Sequence, residues 1–117
     1  MKNLKISTEL ASAVLGKEVT KCNLLSTARN SINITYFEDK EDFNTIWREW
    51  NIYEFVHLNL KQWALSKGYF IYSTHELSFI KSLSLETIET FSNGKDTEIE
   101  CILKASEYIL KELNENR

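Results

Sequence analysis

The sequence predicts an α+β domain: a largely antiparallel sheet of about five strands covered by three helices, in the order α-β-β-α-β-β-β-α. Three observations predict it. Stretches with a helical hydrophobic period alternate with stretches of period two. The strand-like runs come in groups joined by short loops, which suits antiparallel pairing. The chain has no proline and only three glycines, Gly16, Gly68 and Gly94, so each glycine punctuates. With 117 residues, 43% of them hydrophobic, it has the size and core content of one domain spanning residues 1–117.

The first helix runs from Ser7, its N-cap, to Leu15, and Gly16 stops it. Leu10, Ala11 and Val14 form its inward face. Val19 to Leu25 and Ser31 to Phe37 follow as strands around a hairpin loop at residues 26–30. The second is the cleaner: Ile32, Ile34 and Tyr36 point one way, Asn33, Thr35 and Phe37 the other. After the charged break Glu38-Asp39-Lys40-Glu41-Asp42, the segment Phe43 to Trp50 fits a strand, a helical turn or an ordered loop.

Asn51 is a good cap for a helix reaching about Lys67, where Gly68 ends it. Ile52, Phe55, Val56, Leu60, Trp63 and Ala64 make its apolar stripe, with Tyr53, His57 and Lys61 on a wetter face. Three strands follow: Tyr69 to Ser73, Leu77 to Leu83 and Leu85 to Phe91. The dipeptide Asn93-Gly94 marks a turn. A final helix starts at Asp96 or Thr97, where Thr97-x-x-Glu100 has the capping-box form. Its stripe is Ile99, Ile102, Leu103, Ile109, Leu110 and Leu113.

Composition excludes several classes. With 14 Lys+Arg against 17 Asp+Glu, the net charge of -3 argues against a DNA-coating protein. No apolar run approaches a membrane span. The opening MKNLKISTELASAVLG starts like a signal peptide, but Thr8, Glu9 and Ser12 interrupt its apolar stretch, so it reads as an amphipathic helix. The expected place is a reducing cytoplasm, with Cys22 and Cys101 as free thiols.

Isolated glycines cannot build a Gly-x-Gly-x-x-Gly or Walker loop. His57 and His75 are the only histidines, and neither lies in a nucleophile or metal motif. No catalytic residue, no metal and no cofactor is expected, and the chain is read as a non-enzyme. The unusual local feature is Trp47-Arg48-Glu49-Trp50, followed by Tyr53. Tryptophan, tyrosine and arginine anchor interfaces and stack on bases; the plainer role for Trp47 and Trp50 is to plug a sheet edge or helix start. Arg29, with Lys17 and Lys21 near the first hairpin, is a further contact candidate for a phosphate or an acidic partner.

Three segments carry a family likeness: ISTELASAVLG, NIYEFVHLNLKQWALSKGYFIY and ETIETFSNGKDTEIECILKASEYIL. Together they cover roughly half the chain. They resemble small phage and prophage proteins with the phage α-β-α (ABA) sandwich domain. In that family the closing helix follows an acidic or Thr-containing cap and carries Ala and Cys near its middle; Asp96, Thr97, Cys101 and Ala105 match. The strand pair Val19–Phe37 and the Trp-rich Phe43–Trp50 are longer than that pattern. The family has no catalytic motif to transfer. The resemblance implies a phage accessory protein in a bacterial host cell, of a kind that modulates host machinery or host defence. The chain is read as one that binds a host protein, counter-defence being one version, and a homo-oligomer is a separate option. The alternative is a sequestering module for a nucleotide signal or single-stranded nucleic acid.

Overall fold

The computed structural model describes residues 6–26, 31–39, 41–74, 77–82, 87–91 and 98–115. Its class is α+β, and every strand pairing is antiparallel. The elements are helix α1 (Thr8–Leu15); strands β1 (Val19–Ser26), β2 (Ser31–Asp39) and β3 (Asn44–Asn51); a helical run of α2 (Ile52–Glu54), a π-helical stretch (Phe55–Leu60) and α3 (Lys61–Ser66); strands β4 (Tyr69–Thr74), β5 (Leu77–Ser82) and β6 (Thr87–Phe91); and α4 (Glu98–Glu115).

The single sheet expected above is corrected to two three-stranded sheets, β1-β2-β3 and β4-β5-β6. The cause is the Phe43–Trp50 segment. Most of it forms β3, which pairs with β2 and completes a first sheet before the helical run begins. The order among the described residues is therefore α-β-β-β-α-β-β-β-α. Two compact units result, residues 1–55 and 56–117.

In the first unit, α1 packs on β1. The Ser7 hydroxyl accepts from the Leu10 amide at 3.0 Å, as an N-cap should. Gly16 ends the helix in the left-handed conformation (φ 66°), where its N–H reaches the Ser12 carbonyl. Ser12 also joins helix to strand: its hydroxyl donates to the Thr8 carbonyl at 2.6 Å and accepts from the Val19 amide at 2.9 Å. Along β2, Ile32, Ile34 and Tyr36 are buried, as the period-two alternation requires. Each apolar side chain so buried stabilises the fold by roughly 1.5–3 kcal/mol.

In the second unit, α3 packs on β4, and α4 packs on all three strands. Ile71 and Ile80 are cross-strand partners, and both are buried. α4 buries Ile99, Ile102, Ala105 and Ile109 at helical spacing. Its buried Ser106 hydroxyl donates to the Ile102 carbonyl at 2.9 Å, so the polar group is satisfied inside the helix. At the end of the first unit, Asn51 caps the helical run as expected: its Oδ1 accepts from the Tyr53 and Glu54 amides at 2.9 and 3.1 Å. No helix among the described residues is long and apolar enough to cross a membrane.

Candidate functional site

β3 is an edge strand. It pairs with β2 on one side, and no described strand pairs with the other. An edge strand leaves a row of backbone N–H and C=O groups facing outward, ready to pair with another chain. β3 is also bare on its faces, since six of its eight residues are exposed and only Ile46 and Trp50 are half-buried.

The register sorts the predicted residues onto faces. Ile32 opposes Trp50, Ile34 opposes Arg48 and Tyr36 opposes Ile46, so Trp50 and Arg48 share the face on which β2 buries its isoleucines. Thr35 opposes Trp47 and Asn33 opposes Glu49 on the other face. Lys21 and Asn23 of β1 continue those two rows. Trp47 and Trp50 therefore stand on opposite faces and form no common patch.

Their environments differ accordingly. Trp50 meets Phe55 edge-on, with ring centroids 6.1 Å apart and planes at 67°. Its indole N–H is buried and lacks an acceptor. Trp47 is 65% exposed on a face of Thr, Asn and Lys side chains. Arg48 is exposed, and Tyr53 is 45% exposed at the start of the helical run. Lys17 and Lys21 are exposed, while Arg29 and His75 lie outside the described residues.

Sequence reasoning missed two features. The first is at the β2–β3 turn. Phe43 is 80% exposed and holds φ at 55°, a left-handed conformation rare for an aromatic residue. With Phe37, Glu18 and Glu41 it lines an open recess of about 340 Å³. The Phe37 amide donates to the Glu18 carbonyl at 3.0 Å, which ties the recess wall to β2. The only available signal was the acidic run before Phe43.

The second is a polar cluster in the second unit. Lys61 Nζ donates to Ser73 Oγ at 2.8 Å, and Ser73 Oγ donates to Glu98 Oε1 at 3.0 Å. His57 Nε2 lies 3.5 Å from the same carboxylate oxygen. A serine beside a lysine and a histidine invites comparison with a nucleophile. The geometry opposes activation: the hydroxyl proton is committed to a carboxylate, and its lone pair is engaged by the Lys61 ammonium. The cluster joins α3, β4 and α4 as a polar clamp. On the other face of β4 and β5, Phe70 and Tyr72 have ring centroids 6.1 Å apart, and Lys81 Nζ sits 5.4 Å over the Tyr72 ring.

Cys22 and Cys101 are free thiols. Cys101 is buried in α4, and burial pushes the Cys22 thiol up to about 11. The Cys22 thiol is therefore not poised as a thiolate nucleophile. No protein-family model, no curated protein and no solved structure matches this chain.

Proposed function

We propose that this chain is a non-enzymatic binding protein that takes a segment of a partner protein along the free edge of β3. The observation that carries the proposal is that edge: a strand paired on one side only among the described residues, with Trp47 standing out of it, 65% exposed. Backbone pairing supplies affinity in such docking, and a projecting aromatic anchors the register. Arg48 and Glu49 on the same strand disfavour self-association of edges, which favours a different protein over a second copy. The likeness to phage α-β-α sandwich proteins makes a host protein the partner to seek, with interference in host defence as one outcome. The test is capture from bacterial cells by the wild type and by Trp47→Lys, with far-UV circular dichroism confirming equal folding. Loss of one specific partner with Trp47→Lys supports the reading. Equal capture by both forms contradicts it.

A second reading is favoured by Phe70, Tyr72 and Lys81, a basic-aromatic set on one sheet face. Such a face stacks bases and meets phosphate. Fluorescence anisotropy of a labelled single-stranded dT oligonucleotide tests it. Salt-sensitive binding that Tyr72→Ala abolishes would support a nucleic-acid role; absence of binding at low salt would remove it.

A further inference from the structure

The charge of this chain is concentrated at one place. The five residues Glu38, Asp39, Lys40, Glu41 and Asp42 carry four acids and one base, a sum of -3, which equals the net charge of the whole chain. The other 112 residues balance, with 13 acids and 13 bases. The acidic run leads directly into Phe43, and two of the four residues lining the recess, Glu18 and Glu41, are acidic. The other two are Phe37, half-buried, and Phe43, 80% exposed.

Phe43 is costly in two ways. Its backbone is left-handed, which Cβ opposes, and its ring stands in water with little packing to compensate. A residue kept in that state is explained by what it meets outside the chain. Ring faces and carboxylates attract the same kind of group. The π-face is the negative pole of an aromatic ring, so a cation gains from the rings and from the acids together, whereas an anion is repelled by both. A long cationic side chain adds a third fit, because its methylene stem can lie on apolar surface while its head stays with the charges. At about 340 Å³ the recess is near the small end of ligand sites, so it suits one side chain better than a nucleotide.

We infer that the recess of Glu18, Phe37, Glu41 and Phe43 binds an arginine or lysine side chain, and that the partner of β3 presents this cation just beyond the Asn44 end of the strand. The second clause rests on the docking reading above. The first stands on the recess alone.

The experiment uses the full chain and N-acetyl-arginine methylamide as probe, followed through the aromatic NMR signals of Phe37 and Phe43. N-acetyl-norleucine methylamide is the uncharged control. The expected result is saturable shifts at both rings with arginine, at least about tenfold weaker binding of norleucine, and weakening by added salt. Phe43→Gly and Glu41→Gln should each reduce arginine binding about fivefold or more, with amide signals away from the turn unchanged. Equal binding of arginine and norleucine, no shift at either ring, or indifference to both substitutions would overturn the inference. The probe carries no strand to pair with β3, so its failure leaves the docking reading standing. Conversely, a partner held undiminished by Trp47→Lys while the probe still binds retires the docking reading alone.

Discussion

Trp47 and Trp50, three residues apart on one strand, should respond to truncation in opposite ways. A fully buried tryptophan cut to alanine costs about 3–5 kcal/mol. Trp50 is half-buried and holds an edge-to-face contact with the fully buried Phe55, so Trp50→Ala should cost about 2–3 kcal/mol, of which the ring pair supplies roughly 0.5–1.5. Trp47 is 65% exposed and opposes Thr35, so its truncation should cost about 1 kcal/mol at most, mainly strand preference. Trp50→Phe is the informative control. It keeps a ring beside Phe55 and removes an indole N–H that is buried without an acceptor, a burden of about 1–3 kcal/mol. That variant should fall within about 1 kcal/mol of the wild type. Urea denaturation followed by circular dichroism measures all three. With a slope of about 1–3 kcal/mol/M, Trp50→Ala should lower the midpoint by roughly 0.7–3 M. If Trp50→Ala costs no more than Trp47→Ala, the assignment of faces from the β2–β3 register is wrong. Partner capture should show the reverse order, with Trp47→Ala losing the partner at a stability cost of no more than about 1 kcal/mol.

Other outcomes follow from single contacts. Burial raises the Cys22 thiol to about 11, above its ordinary value of 9.0, so the native state keeps its proton longer than the unfolded chain. Its stabilising contribution is complete below pH 9 and is lost as pH rises through about 11. Cys22→Ala should flatten the alkaline limb of stability against pH, and Cys22 should resist alkylation at pH 8 in the folded protein. Ser73→Ala removes the hydroxyl between Lys61 and Glu98 and should cost about 1 kcal/mol in urea titration, with no other activity changed. Trp63→Phe, which also deletes a buried N–H without an acceptor, should cost less than about 1.5 kcal/mol although Trp63 is only 6% exposed.

Local signals were legible wherever local chemistry decides the structure. Ser7 and Asn51 cap because a side-chain oxygen within three residues meets bare amides, and that is visible in any short window. Gly16 and Gly68 end helices with positive φ for the same local reason. The alternation in Ser31–Phe37 put Ile32, Ile34 and Tyr36 on one face, and that is the face β2 buries. Phe43–Trp50 stayed ambiguous because Phe43, Ile46, Trp47 and Trp50 are spaced as well for a helix turn as for a strand; pairing with β2 resolves it, and that partner lies elsewhere in the chain. Every described pairing joins strands consecutive in the chain, and none crosses the helical run, so the division into two sheets is a matter of which strands stay apart, which no short window displays; one sheet was the simplest expectation and was wrong. The polar cluster shows the same limit. His57, Lys61, Ser73 and Glu98 come from a helical run, a strand and a later helix. Phe37 and Phe43 were hidden for another reason: an aromatic residue reads as core until its neighbours are known.

The central claim is that β3 presents its free edge to a partner strand. Amide hydrogen exchange of the chain alone and with its captured partner tests that most directly. The account predicts that the outward-facing amides within Asn44–Asn51 exchange quickly in the free chain and slow markedly in the complex, with Trp47 at the centre of the protected stretch. Protection confined to β4 and β5, with β3 exchanging as fast as before, would contradict it.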